Sequence, residues 1–253
     1  MIFRRYHAIL LGIFLLLSGA VSYSSFEPLR QSCPRPNLSL VPRHPWIALT
    51  FDDGPHPVMT EKLMTVLKRE GVPATFFVVG KMAVRYPGIV EEMAREGHEV
   101  ANHTFSHPNL SHVDTKTLLN ELGQTREVIR RLTGLDTVYF RPPGGDYTKS
   151  MVKAVKKAGY RMILWTVLTN DVNGASVEVM RHRIMTQSAD GAIVLMHSGM
   201  PKTIDMLPGV IEELRRQGYH FVTVSQLMGF DHSLGGTQPA PLPDRPVYPI
   251  VSR

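Results

Sequence analysis

Short apolar runs alternate with amphipathic segments from residue 46 to residue 224, and this alternation constrains the fold more than any other feature of the chain. The runs are WIALTF (46–51), ATFFVV (74–79), HEVA (98–101), VYF (138–140), RMILW (161–165), AIVLM (192–196) and HFVTV (220–224). They are short, apolar and rich in Val, Ile and Phe. Runs of this kind suit strands buried on both faces, as in a parallel sheet covered by helices. Helical patterns fall between them, near 59–70, 81–96, 115–133, 148–158, 176–187 and 203–217. Leu63, Val66 and Leu67 share one face of the first, and Ile204, Leu207, Ile211 and Leu214 share one face of the last. Gly71, Gly97, Gly159 and Gly218 stand at helix ends. Seven strand–helix units in one domain, 46–228, predict an α/β fold of the (β/α) barrel kind, with a doubly wound open sheet as the alternative.

The flanks differ from this body. Arg4 and Arg5 precede the apolar run AILLGIFLLL (8–17), with small residues at 18–22 that suit cleavage. Residues 1–22 are expected to be a signal peptide or a retained membrane anchor, because the uncharged stretch 6–26 is long enough to span a bilayer. Either way the domain is expected outside the cytoplasm, secreted or anchored. Pro-rich segments follow at 23–45 and at 229–253, a linker and a loose tail. Cys33 is the single cysteine of 253 residues, which excludes an internal disulfide framework; it is expected to be a free thiol in the linker. The net charge of +6 is mild and no basic stripe with interleaved aromatics is present, so nucleic acid is not an expected partner. The chain is expected to be a monomer.

Polar residues collect where strands end. Asp52 and Asp53 follow the first strand, His103 and His107 the third, Arg141 the fourth, Asp171 the fifth and His197 the sixth. In parallel α/β barrels the site lies at the carboxyl ends of the strands. Asp52-Asp53-Gly54-Pro55 by itself reads as a turn. After a buried strand, however, adjacent carboxylates repel unless a cation or an arginine compensates, and the two tend toward different roles. His103 and His107, at i and i+4, face the same side of a helical turn and can share one metal, although such a pair is only moderately specific. With one Asp oxygen the set becomes two His and one carboxylate, which suits catalytic zinc with a coordination position left open, and also cobalt, manganese, nickel or iron. Arg141-Pro142-Pro143-Gly144-Gly145 reads either as a stiff turn or as an arginine holding a carboxylate beside a turn that lets a backbone N–H approach substrate. His197 alone is weak evidence; opposite a metal site it becomes a candidate general acid.

Taken together, TFDDGP (50–55), HTFSH (103–107), RPPGG (141–145), the segment from Trp165 to Asp171, and LMH (195–197) resemble the polysaccharide deacetylases of the NodB-homology type, carbohydrate esterase family 4. They occur in the family's order and cover roughly 46–228. The resemblance implies a distorted, incomplete (β/α) barrel of about seven parallel strands. It implies that Asp53, His103 and His107 bind one divalent metal, zinc first. Asp52 is then the general base, oriented by Arg141, and His197 the general acid, tuned by Asp171. A backbone N–H beside Gly144, with Pro143 and Leu195 nearby, is implied to serve the substrate and its oxyanion. The implied reaction is removal of an N-acetyl group from an amino sugar of a polysaccharide such as peptidoglycan, a chitin-like polymer or an exopolysaccharide.

Three positions depart from the family's usual pattern. Gly144 stands where an aromatic residue is common, Val172 replaces a Trp after Asp171, and Leu168 replaces an Asp. These changes bear on substrate fit and leave the metal and acid–base residues in place. The alternatives are an O-acetyl esterase of xylan type using the same site, and a non-catalytic glycan-binding barrel. His98 and His112 are expected to be structural or loop residues. Trp46 and Trp165 are expected to pack, and Lys153, Lys156, Lys157 and Arg161 to form a solvated helix face.

Overall fold

The computed structural model describes residues 45–229. The leader, the linker up to residue 44 with Cys33, and the tail beyond Gly229 lie outside the described residues. In chain order the elements are β1 (Trp46–Asp52), α1 (Met59–Glu70), β2 (Thr75–Val78), α2 (Gly80–Arg85), α3 (Pro87–Arg95), β3 (Glu99–Asn102), α4 (Thr115–Thr133), β4 (Tyr139–Phe140), α5 (Lys149–Lys157), β5 (Arg161–Met162), β6 (Val167–Leu168), α6 (Val177–Gln187), β7 (Ala192–His197), α7 (Pro201–Arg216), β8 (His220–Phe221) and α8 (Val224–Leu227).

Every strand pairing is parallel, and seven strands run in the order β5-β4-β3-β2-β1-β7-β6. The two-residue β8 pairs with Trp46 and Ile47, at the base of the β1 edge whose upper half pairs with β2. β5 and β6 are the ends of the path, and residues 163–166 carry the chain between them. The sheet is therefore a curled, incomplete barrel.

Side-chain alternation along the strands separates two cores. Ile47, Leu49 and Phe51 of β1 and Val194 and Met196 of β7 face outward and pack with Leu63, Leu67, Leu207, Ile211 and Leu214 of the surrounding helices. Ala48 and Ile193 face inward, with Phe77, Ala101, Tyr139, Ile163 and Val224. This inner cluster is what distinguishes a curled barrel from a flat doubly wound sheet, in which helices would cover both faces. The period of two also puts Thr50 and Asp52 on the inner face above Ala48, so one short strand serves both the core and the site.

Three boundaries differ from the sequence expectation. The helix expected over 81–96 is two helices, broken at Tyr86, because the residue before Pro87 is disfavoured in helical conformation. The strand expected over 161–165 pairs only at Arg161–Met162; the carbonyls of Ile163 and Leu164 turn instead to the Arg141 guanidinium, and Val167–Leu168 forms a separate strand. The strand expected over 220–224 stops at Phe221, because Thr223 and Gln226 form a capping box that starts α8. Among the described residues no helix is long and apolar enough to cross a membrane.

Candidate active site

Asp52 ends β1, His103 follows β3, Arg141 follows β4 and His197 ends β7, so the strand ends bring these residues to one rim. Asp171 joins them from a 3-10 turn just beyond β6. Around this rim lie three polar groupings.

The first is Asp53, His103 and His107. One ligand atom from each lies within 4.8 Å of the others. Asp53 Oδ1 is 3.3 Å from His103 Nε2 and 3.2 Å from His107 Nε2. His103 Nδ1 lies 2.8 Å from the Arg141 carbonyl oxygen, which can only accept. That contact places the ring proton of neutral His103 on Nδ1 and leaves a lone pair on Nε2. With the histidines neutral, Asp53 Oδ1 is buried and receives no hydrogen bond. Two acceptors facing each other at this distance repel unless a cation lies between them. The donor set thus fits one divalent metal, with Asp53 Oδ1 and the two Nε2 atoms as ligands.

The two histidines meet for a different reason than the helical spacing suggests. Residues 103–107 are not helical; Thr104 and His107 are both left-handed, with φ of 67° and 56°. These turns, not an i, i+4 helix face, bring the rings to 5.1 Å between centroids. Asp53 is also left-handed, with φ of 68°. With the histidines protonated and no metal bound, burial pushes its carboxyl pKa up, but hydrogen bonds from His103 and His107 and the charge of His103 and His197 bring it far below the usual carboxylate range. The hydrogen bond to Asp53 raises His107 against the opposing effect of burial. A metal would have to displace that proton, so occupancy should fall in acid.

The second grouping is Asp52 and Arg141, both buried. Arg141 Nη1 donates to Asp52 Oδ1 at 2.8 Å and to Thr50 Oγ1 at 2.7 Å. Its other nitrogens donate to the carbonyls of Leu164 and Ile163, and its guanidinium lies 4.1 Å from the Phe77 ring centroid. Burial pulls the guanidinium pKa down and Asp52 opposes it; a guanidinium starts so high that it stays charged. With Oδ1 occupied, Asp52 Oδ2 faces the metal-ligand group, 3.8 Å from His103 Nε2.

The third grouping is His197 and Asp171. Asp171 Oδ1 accepts from His197 Nδ1 at 2.8 Å, and Oδ2 accepts from the His197 N–H and from Thr203 Oγ1, both at 2.8 Å. His197 Nε2 is left pointing toward the first grouping, 4.0 Å from Asp53 Oδ2. Burial works against a charged imidazole, but the Asp171 hydrogen bond and nearby carboxylates outweigh it and raise the His197 pKa. Asp171 stays ionised, because its bonds to His197 overcome the effect of burial.

A cleft of about 340 Å³ opens beside Asp53 and His197, lined also by His56, Val172 and Met200 among others. Pro143 is buried, and Gly144 is exposed with φ of 65° at the corner of a 3-10 turn. Gly145, with φ of 75°, lies so close to Trp165 that a Cβ there would come within 2.6 Å of the ring. Leu195 sits two residues before His197 on the same inner face and is buried. Val172, at the cleft, is exposed. Leu168 lies in β6, pairing with Leu195.

Other expectations have simpler outcomes. His98 is buried, accepts from the Ala74 N–H and packs on Phe76, while His112 is exposed in a 3-10 turn. Trp165 packs against Gly145, but Trp46, expected to pack, is 44% exposed at the base of β1, where its backbone pairs with His220 and bonds to Asp190 and Gly191. Lys153, Lys156 and Lys157 are exposed on α5.

Sequence reasoning missed Thr50, Thr203 and Glu121. Thr50 shares the inner face with Asp52, a signal available from strand parity. Thr203 had no signal, since only folding carries α7 to Asp171. Glu121 is the acid on the apolar stripe of α4, beside Leu118, Leu122 and Thr125.

Comparison with known proteins bears on the family. Residues 41–163 match the family model described as "Polysaccharide deacetylase"; Asp171 and His197 lie beyond that stretch. A peptidoglycan-N-acetylglucosamine deacetylase of Bacillus cereus is 35% identical over 185 residues, 72% of this chain and 67% of the relative. A peptidoglycan-N-acetylmuramic acid deacetylase of Bacillus subtilis is 36% identical over 186 residues, 74% of this chain but only 39% of the relative. A crystal structure of the Bc1960 peptidoglycan N-acetylglucosamine deacetylase superposes with a TM-score of 0.71 at 35% identity, covering 74% of this chain and 89% of that one. Fold, motif order and these likenesses converge: the chain belongs to the polysaccharide deacetylase family, and with it to the hydrolases.

Proposed function

We propose that this chain is an exported, metal-dependent deacetylase that removes N-acetyl groups from amino sugars of peptidoglycan. The observation that carries the proposal is the facing arrangement of the rim. A carboxylate held by arginine and a histidine held by a second carboxylate flank one Asp–His–His donor set. The names of the relatives support peptidoglycan as substrate. Export rests on the leader at 1–22.

A divalent ion held by Asp53, His103 and His107 would supply Lewis-acid polarisation of the acetyl carbonyl and of water, with zinc the first choice and cobalt, manganese, nickel or iron as alternatives. Asp52 Oδ2 takes a proton from the attacking water, while Arg141 fixes the other oxygen. The Gly144 N–H donates to the developing oxyanion, an interaction of a kind worth about 2.7–4 kcal/mol. Pro143 stiffens that turn, and Leu195 offers an apolar floor beside the reacting group. His197 donates the proton from Nε2 to the leaving amine, because Asp171 holds its other nitrogen and keeps it charged. Water and the amide are consumed; acetate and a free amino sugar result.

The test is acetate release from peptidoglycan, GlcNAc oligomers and acetylated xylan by the chain lacking residues 1–26. Release from the first two that stops with chelator and in Asp52→Asn supports the proposal. Release from xylan alone makes the protein an O-acetyl esterase. Release from none, in a folded and metal-loaded protein, overturns the catalytic assignment. Cell fractionation tests export, and retention in the cytoplasm would refute it.

A further inference from the structure

We infer that Glu121, on α4 and outside the rim, is a positioning residue that holds His107 in its metal-binding geometry; this rests on the proposed metal role of Asp53, His103 and His107. The two histidines are held differently. His103 is buried and its ring is fixed through Nδ1 on the Arg141 carbonyl. The His107 side chain is 41% exposed, and among the described residues its ring has no such partner in another residue beyond Asp53. Its direction is therefore set by its backbone.

The His107 N–H donates to Thr104 Oγ1 at 3.2 Å, and the two residues between them are held by Glu121. Oε2 accepts from the Phe105 N–H at 2.9 Å and from the Ser106 N–H at 2.6 Å, and Oε1 accepts from Ser106 Oγ at 2.9 Å. Two successive N–H groups pointed at one carboxylate oxygen form an anion-binding nest. The clamp sits between the two left-handed residues, Thr104 and His107. Non-glycine residues in this region cost about 1–3 kcal/mol each and persist only where the surroundings over-determine them. The carbonyl side of the loop is held too: the Gly80 N–H donates to Thr104 O at 2.9 Å and the Lys81 N–H to Phe105 O at 2.8 Å. Gly80 permits that approach, since a Cβ would come within 2.5 Å of the Phe105 ring. Without the Glu121 carboxylate, two N–H groups lose their acceptor and the loop is free to relax its left-handed turns. His107 Nε2 then leaves its place 3.2 Å from Asp53 Oδ1.

The test is the zinc affinity of the full chain in wild type, Glu121→Ala and Glu121→Gln, measured by competition with a chromophoric chelator, with the far-UV spectrum of each metal-free protein recorded alongside. Groups that orient metal ligands typically change affinity about 10–100-fold when removed, and Glu121→Ala should fall in that range. Glu121→Gln keeps an acceptor without its charge and should lie between wild type and alanine. At saturating zinc the KM of Glu121→Gln should match wild type, with the defect confined to the zinc concentration needed for activity. A folded Glu121→Ala that binds zinc as wild type does would overturn the inference. If the alanine variant does not fold, Glu121→Gln decides: undiminished affinity overturns the inference and weaker affinity sustains it. If wild type itself binds no zinc, the metal assignment fails, and that failure is seen before any variant is compared.

Discussion

Arg141→Met should cost far more stability than an ordinary buried substitution, because it strands a charge. The Arg141–Asp52 pair is 2.8 Å long and shut off from solvent. At that distance the Coulomb attraction is about 6 kcal/mol for an effective dielectric of about 20. Much of this only offsets the cost of desolvating both ions, so the pair adds little to stability as a whole. Removing one partner alone leaves the other charge buried and typically costs about 3–5 kcal/mol. For a domain of this size each kcal/mol shifts the melting temperature by about 2–4 °C, so a fall of about 6–20 °C is expected. Arg141→Met combined with Asp52→Asn removes the stranded charge. What stays lost is chiefly the bonds to the Leu164 and Ile163 carbonyls, about 0.5–1.5 kcal/mol each. Both variants should be inactive, so thermal unfolding followed by circular dichroism is the assay. The reasoning is refuted if the double variant melts as low as the single one, or if the single one melts with wild type.

Three further outcomes follow from the geometry. Asp171 raises the His197 pKa, so the protonated acid persists to higher pH and activity is lost as pH rises through that raised value; in Asp171→Asn the alkaline limb of the kcat profile should move to lower pH, and an unmoved limb would remove His197 as the acid. Gly145→Ala should push the Trp165 ring aside at a cost of about 1–3 kcal/mol and change the tryptophan emission, since Trp46 is the one other tryptophan and lies at the base of β1. Val172→Trp should place an aromatic face at the cleft and lower KM for GlcNAc oligomers about 2–12-fold, from about 0.5–1.5 kcal/mol of added contact; an unchanged KM would exclude that wall from substrate binding.

The legible parts of the fold were those in which one physical requirement dominates. β1 and β7 are long and buried on both faces, so their apolar runs announced them. Where two requirements compete, the sequence was ambiguous. Ile163 and Leu164 read as strand residues, yet their carbonyls serve Arg141, a donor that reaches them only after folding. Pro87 and the Thr223–Gln226 pair were overlooked signals for a helix break and a helix start. The candidate site was legible in its residue types and in its position at strand ends. Its geometry was not: the spacing of His103 and His107 suggested a helix, and left-handed turns at Thr104 and His107 bring the rings together instead. The supports of the site were the least visible, because Glu121 and Thr203 come from neighbouring helices, reach the site only through folding and carry no motif.

The most direct test of the central claim compares Asp52→Asn with Asp53→Asn, measuring bound zinc after dialysis and acetate release in the same samples. Adjacent and chemically identical, the two residues are assigned opposite roles by their partners, arginine for one and two histidines for the other. Asp52→Asn should keep one equivalent of zinc and release no acetate, while Asp53→Asn should hold little zinc under the same dialysis. Full zinc occupancy in Asp53→Asn, or loss of zinc with Asp52→Asn alone, would contradict the assignment.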